Sequence, residues 1–227
     1  MKYKKNKLIR IAIDATAGSG STSLSLKLAQ YYKLRYLDTG KVYRWCAMQI
    51  MKKKTKNEIN FLKKKIKKLK LKELQNKNLI DDKLAQFTSQ IAQKPSVRKL
   101  VFNFQKNIAY KIPKGYNGSV LNGRDITYKI VPDADFKFYV TASIFERSRR
   151  RQKELKRLGK RVSFKNIMQS LKKRDKSDKN RRHSPLIRSP NSQLINNTRL
   201  SITECFLKVR KIIDRKLNKY GRNFKRK

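Results

Sequence analysis

Ala15-Thr16-Ala17-Gly18-Ser19-Gly20-Ser21-Thr22-Ser23 follows a short apolar run, Leu8 to Asp14, and precedes Leu24-Ser25-Leu26-Lys27-Leu28-Ala29. A strand, a Gly/Ser-rich turn and an amphipathic helix in that order aim backbone N–H groups and a helix N-terminus at one point, which is an anion site. The usual phosphate-loop signature is G-x-x-x-x-G-K-[ST]. Here Ala15 stands at its first glycine and Ser21 at its lysine. The backbone cradle is retained, and the lysine's cation at a transferring phosphate is not. A Gly/Ser-rich turn is also ordinary connection chemistry, so this stretch alone does not establish a nucleotide site.

Three further groups carry suitable side chains. Asp38-Thr39-Gly40 precedes Tyr43 and Arg44 by one helical turn. Asn122-Gly123-Arg124-Asp125 places an acceptor beside a cation. Arginine suits a phosphate because its planar fork donates two hydrogen bonds at once. Arg174, Asp178 and Arg181 are spaced by four and three, so on a helix they share one face. Taken singly, that last group also reads as a salt-bridged surface helix.

These groups need elements to hold them. A first strand and helix are expected from about Leu8 to Tyr32, and a second strand over Leu34–Leu37. A helix is expected over Val42–Met51. Residues 52–78 are lysine-dense with scattered apolar positions, the pattern of a small peripheral insertion with a solvated face. Helical spacing runs from Asp81 to Ala109 with a break at Pro95. Strands are expected at Gly118–Asn122, Ala134–Val140 and Gln193–Asn197, and helices at Ser143–Leu158, Phe164–Lys173 and Thr203–Leu217. Strands alternating with helices predict an α/β fold with a mostly parallel sheet covered on both faces. In such a sheet ligands gather at the carboxyl ends of the strands, where the polar groups above lie.

The chain has 227 residues, 61 Lys+Arg against 15 Asp+Glu, and a formal charge of +46. That length suits one domain with an inserted subdomain. No apolar run is long enough for a membrane span, and the basic Met1–Lys7 is not followed by a signal-peptide core. Cys46 and Cys205 stand alone, without metal or redox spacing, which points to a reducing cytoplasm. The charge has two readings: a polyanion partner, or a composition biased towards codon-cheap lysine, asparagine and isoleucine. The lysines spread through the whole chain, which favours the second. Nonspecific, salt-sensitive nucleic-acid binding is still expected of such a charge. The single histidine, His183, lies in a polar loop and is given no catalytic role.

Asp14 to Ser23, Tyr36-Leu37-Asp38-Thr39-Gly40 with Val42-Tyr43-Arg44, and Thr88-Ser89-Gln90-Ile91-Ala92 with Pro95 and Val97-Arg98 stand in register with two later groups. Those are Asn122-Gly123-Arg124-Asp125 with Val131-Pro132-Asp133-Ala134, and Lys173-Arg174-Asp175 through Asp178-Lys179-Asn180-Arg181. In order and spacing the chain resembles the bacterial cytidylate kinases (CMP/dCMP kinases), from about residue 8 to 213.

The resemblance implies a single P-loop nucleoside monophosphate kinase domain over 1–227. Its core would be about 1–51 and 112–227, its NMP-binding insertion about 52–111 and its lid about 147–165. It implies transfer of the γ-phosphoryl group of ATP to CMP or dCMP with Mg²⁺, by a monomer. Gly18, Ser19, Gly20, Ser21, Thr22 and Ser23 would wrap ATP phosphates, with the hydroxyl of Thr22 or Ser23 towards Mg²⁺. Asp38, Thr39, Arg44 and Arg124 would line the acceptor side, the two arginines on its phosphate. Ser89, Arg98 and Asp125 would read cytosine. Arg174, Asp178 and Arg181 would fold over sugar and phosphate, and Arg147, Arg150 and Arg151 would close on the transferring group.

The departures from the family are Ala15, Thr16 for its usual proline, Asn122 for a frequent aspartate, and Ser21. By analogy with one lost preorganised donor, the missing lysine is worth about 10²–10³ in rate. A cation from Arg147–Arg157, or Lys41, is expected to replace it. The competing readings are a nonenzymatic nucleotide- or RNA-binding relative and a kinase for another monophosphate.

Overall fold

A computed structural model describes residues 8–53, 57–80 and 82–219. In chain order the elements are β1 (Ile9–Ala15), α1 (Ser21–Tyr32), β2 (Arg35–Asp38), α2 (Thr39–Lys53), α3 (Glu58–Ile66), α4 (Asp82–Ile91) and α5 (Pro95–Tyr110). Then come β3 (Gly118–Gly123), β4 (Phe136–Thr141), α6 (Ile144–Arg157), α7 (Phe164–Asn180), β5 (Gln193–Asn196) and α8 (Ile202–Lys219). Two short 3₁₀ turns, Leu71–Gln75 and Lys77–Ile80, bridge α3 and α4.

The five strands form one sheet in the order β2-β3-β1-β4-β5. Every pairing is parallel. Both faces of the sheet are covered, which is why β1 reads as a near-continuous apolar run. On one face Ile9, Ile11, Ile13, Val120, Phe138 and Ile195 pack under α1 and α8. On the other, Ala12, Leu37 and Leu121 pack under α2 and α5, and that core continues through Leu62, Leu79 and Ile91. The peripheral segment is therefore anchored by apolar side chains, while its lysines from Lys63 to Lys72 face solvent. A third, smaller cluster joins Ala17 of the loop after β1 to Leu155, Ile167 and Leu171 of the α6–α7 hairpin.

Local chemistry sets the boundaries. Ser143 and Ser163 cap α6 and α7, their side chains accepting from the N–H groups of Glu146 and Asn166. Pro95 opens α5, where a missing N–H costs nothing. Asp38 Oδ1 accepts from Gly40 N at 3.0 Å and starts α2 at Thr39, earlier than the expected Val42. The expected end of α7 at Lys173 is corrected to Asn180. No glycine or proline interrupts Arg174–Asn180, and the Arg174/Asp178 pair bridges a turn there. A single wide turn over Ile126–Ile130, not anticipated, follows β3. Both cysteines are free and buried. His183 is exposed. Among the described residues no helix is long and apolar enough to cross a membrane.

Candidate active site

The loop between β1 and α1 turns on two glycines in left-handed conformation, Gly18 at φ 73° and Gly20 at φ 84°. Side chains rarely accept those angles. Its carbonyls are held from outside. Ala17 O accepts from Arg147 Nη1 at 2.9 Å, and Ser19 O accepts from Asn197 Nδ2 at 2.7 Å and from Arg150 Nη1 at 3.4 Å. The N–H groups of Gly18, Gly20, Ser21 and Thr22 have no partner among the described residues. With the N-terminus of α1 directly behind them, they form a cradle for an anion.

Two of the departures are absorbed by the fold. Ala15 ends β1 fully buried, its Cβ in the core below α1. Thr16 donates its N–H to Val140 O at 3.2 Å, a bond proline could not make, and its hydroxyl lies 3.1 Å from that of Thr141. Ser21 opens α1 with a short neutral side chain and brings no charge.

Next to the loop, Thr22 Oγ1 donates to Asp38 Oδ2 at 3.0 Å. Asn122 pairs in register with Asp38, and its side-chain Oδ1 is buried without a hydrogen bond. Residues in register on neighbouring strands point to the same face, so a hydroxyl, a carboxylate and an unsatisfied amide oxygen line one side of the cleft. These are hard oxygen donors of the kind that Mg²⁺ accepts alongside nucleotide phosphates. Ser23 is exposed one residue further along α1.

Beyond them the arginines converge. Arg124 Nε donates to Asp178 Oδ2 at 2.6 Å, Arg181 Nη1 lies 3.7 Å from Asp178 Oδ1, and Arg174 Nε lies 4.0 Å from Oδ2. Burial pushes the Asp178 carboxyl up, but these three guanidiniums outweigh it and hold it below the ordinary range. For Arg124 burial acts the other way and is outweighed by Asp178, so the guanidinium is held above its ordinary value. Arg174 keeps 46% of its side chain exposed. Its enclosure in the cleft and the like charges of Arg124 and Arg44, partly offset by Asp178, bring it down to about 10. Arg44, on α2, donates from Nη1 to Leu79 O at 2.6 Å.

Arg98 and Asp125 form the deepest pair. Arg98 Nη2 donates to Asp125 Oδ2 at 2.5 Å, Arg98 Nη1 donates to Ala92 O at 3.0 Å, and the guanidinium lies 5.6 Å from the Tyr43 ring centre. Asp125 and Arg98 both bear on the charge of Arg181, which joins this pair to the Asp178 cluster. Thr39 Oγ1 donates to Asn122 O at 2.9 Å and ties α2 to the end of β3.

Not every expected residue joins this cleft. Ser89 is exposed on α4, and no hydrogen bond joins its side chain to Asp125 or Arg98 among the described residues. Arg151 pairs with Glu154 on its own helix. Arg147 and Arg150 grip the phosphate loop by its carbonyls. Each is also neutralised, Arg147 by Asp175 at 2.6 Å and Arg150 by Glu146 at 2.9 Å.

Three positioning residues were not among the expected site residues. Asp175 Oδ1 accepts from Ala17 N at 3.3 Å and holds α7 onto the loop. Asn197, just beyond β5, supports Ser19. Asp14 accepts from Ile126 N at 2.7 Å, Thr127 N at 2.9 Å and Thr127 Oγ1 at 2.6 Å, fixing the turn that carries Asp125.

Burial pushes the Asp14 carboxyl up to about 6 against these three hydrogen bonds, with the charge of Asp125 adding to the rise. A raised folded-state value stabilises the fold at low pH, and that contribution is lost as pH climbs from the ordinary 3.8 to about 6. Two units correspond to on the order of 3 kcal/mol. The unfolding free energy of the native protein minus that of Asp14→Asn should therefore fall across this window. A difference that is flat between pH 4 and 7 in chemical denaturation would count against the assignment.

A sequence model of the family described as Cytidylate kinase matches residues 11–215. The cytidylate kinase of Bartonella bacilliformis is 38% identical over 206 residues, covering 90% of this chain and 94% of the relative. That of Bartonella tribocorum is 36% identical over 209 residues with the same coverage, 90% and 94%. That of Magnetococcus marinus is 32% identical over 226 residues, covering 93% and 98%. Among solved structures, an uncharacterized protein from Eubacterium ventriosum shares the fold with a TM-score of 0.53 at 18% identity, over 91% of this chain and 98% of its own. The match takes in the glycine loop, Arg44, Arg98, Arg124 and the helix that bears Asp178, and by that measure the chain belongs to the cytidylate kinase family.

Proposed function

We propose that this protein transfers the γ-phosphoryl group of ATP to CMP or dCMP, giving ADP and CDP or dCDP. The observation that carries the reading is one continuous cluster. The buried Arg98–Asp125 pair runs through Arg181 into the Asp178 arginines, and these open beside an amide-lined loop. In this reading a base-reading carboxylate, a group of cations and a phosphate cradle lie side by side.

In this reading the N–H groups of Gly18 to Thr22 hold the ATP phosphates, with the exposed Ser23 at the rim. Arg44, Arg124, Arg174 and Arg181 receive the acceptor phosphate, while Asp38 and Thr39 fix the strand end beside it. Asp125 and Arg98 face cytosine, with Ser89 reaching them when the 52–111 segment closes. The 147–165 segment acts as a lid, through Arg147, Arg150 and Arg151. Phosphoryl transfer asks for in-line positioning and neutralisation of the equatorial oxygens, and needs no strong general base. Thr22 and Asp38 would hold Mg²⁺, with Asn122 next to them. The chemistry Mg²⁺ supplies when bound is charge neutralisation between the β- and γ-oxygens. The enzyme is proposed to act as a cytoplasmic monomer, and its charge to give nonspecific, salt-sensitive binding to nucleic acid.

The test is a coupled assay of nucleoside diphosphate formation from ATP and Mg²⁺ with CMP, dCMP, UMP and AMP. Turnover of CMP and dCMP well above UMP and AMP is expected. Tight CMP binding without CDP formation would sink the catalytic reading, and equal turnover of UMP would sink the assignment of Asp125.

A further inference from the structure

The phosphate loop lacks its cation at Ser21, and the arginines nearest the loop are already committed. Arg147 pairs with Asp175, Arg150 with Glu146, and both also bind loop carbonyls. Arg149 shares Glu146, and Arg151 pairs with Glu154. Arg124 and Arg181 serve Asp178.

Lys41 is different. It is half-buried and forms no hydrogen bond or ion pair among the described residues. Its place follows from a short chain of contacts. Thr22, the residue after Ser21, donates to Asp38 Oδ2 at 3.0 Å. The other oxygen of Asp38 caps Gly40 N at 3.0 Å, and Lys41 is the next residue. Lys41 also lies three residues before Arg44 on α2, so the two share a helix face. Arg44 bears on the charge of Arg174 across the cleft. Lys41 is therefore in the first turn of α2, three residues nearer than Arg44 to the Asp38 that Thr22 contacts.

We propose that Lys41 supplies in space the cation that Ser21 withholds in sequence, and is a catalytic residue on the β- and γ-phosphates of ATP. This rests on the phosphoryl-transfer reading. In that reaction an oxygen of the CMP phosphate bonds to the γ-phosphorus. The bond from that phosphorus to the β,γ-bridging oxygen breaks, and its electron pair leaves with ADP. Lys41 keeps its proton throughout and pairs with the charge that gathers on the bridging and γ-oxygens. A lysine suits this role as a compact charge on a long flexible stem, able to approach from a neighbouring helix.

The experiment compares the full-length protein with Lys41→Ala, Ser21→Lys and Lys41→Ala/Ser21→Lys. Lys41→Ala should lower kcat for CDP formation by about 10²–10³, with the KM for CMP within a few-fold of the native value. Adding Ser21→Lys to Lys41→Ala should recover most of the loss. Thermal unfolding of each variant guards against misfolding, and the Lys41 side chain makes no hydrogen bond or ion pair among the described residues. Lys41→Ala within three-fold of native kcat overturns the proposal, as does a loss that Ser21→Lys fails to restore. The two readings separate by equilibrium binding. If the native protein makes no CDP, the kinase reading fails. Lys41 is then judged by ATP affinity: an about ten-fold loss in Lys41→Ala at unchanged CMP affinity supports it, and equal ATP affinities overturn it.

Discussion

Asp125→Ala is expected to erase the preference for cytosine over uracil. Asp125 is 4% exposed, and among the described residues one of its side-chain oxygens is used, Oδ2 by Arg98 at 2.5 Å. Among the described residues Oδ1 takes no hydrogen bond. Its partnership with Arg98 fixes the carboxylate in place as an acceptor. Cytosine presents an exocyclic amine donor to it, while uracil presents a carbonyl, which leaves the carboxylate unpaired and repelled. Sites built around one such hydrogen bond discriminate by roughly 10⁴. The ratio of kcat/KM for CMP over UMP should fall to within about ten-fold in Asp125→Ala, most of the change coming from a loss on CMP. Removing one partner of a buried pair also costs about 3–5 kcal/mol of stability, since Arg98 is left charged without a counterion. Asp125→Asn separates the two effects. Its amide oxygen can still accept from Arg98 while its amino group faces the base, so it should tolerate uracil better than the native protein does and unfold less readily than the alanine variant. Native-like discrimination in either folded variant would rule out Asp125 as the cytosine reader.

What could be read from sequence was what the chain encodes locally. The loop glycines, Asp38 at the end of a strand and Arg124 beside Asp125 announce themselves by neighbours a few residues away. So does the α7 face, where a spacing of four and three put Arg174, Asp178 and Arg181 together. What could not be read depends on contacts closed by the fold. Asp14 holds Ile126 and Thr127 across 112 and 113 residues, and nothing near Asp14 marks it as the support for Asp125. Asp175 and Asn197 reach the phosphate loop across 158 and 178 residues. The arginines of α6 show the same limit. A run of basic residues fixed their helix, but only the fold shows that Arg147 and Arg150 are paired with carboxylates and turned towards loop carbonyls. Thr16 reverses the case: a departure from the family in sequence proves to be a hydrogen-bonded substitute, because its N–H meets Val140 O at 3.2 Å.

Asp178→Ala should have the second large effect, and it acts through the arginines around it. Asp178 is the common partner of Arg124, Arg181 and Arg174, at 2.6, 3.7 and 4.0 Å. Without it the three guanidiniums lose the carboxylate they share, and only the more distant Asp38, Asp125 and Asp175 still offset their charge. The cost should be about 3–5 kcal/mol of stability, because Arg124 is desolvated and left unpaired. The KM for CMP should rise by about 10²-fold, since the acceptor phosphate would meet arginines that have splayed apart, and kcat should fall with it because in-line geometry is set by the same groups. Inorganic phosphate provides a check that a merely misfolded variant would not pass. Placed between the arginines, the dianion restores the missing counter-charge, so millimolar phosphate should raise the melting temperature of Asp178→Ala more than that of the native protein. Acid should show the converse in the native protein. The Asp178 carboxyl is held below its ordinary value by these guanidiniums against the pull of burial, so its contribution is present above the ordinary 3.8 and is lost as pH falls through the depressed value. Asp178→Ala should lack that acid-side loss. Equal phosphate stabilisation in variant and native protein would mean that Asp178 does not organise the arginines for a phosphate.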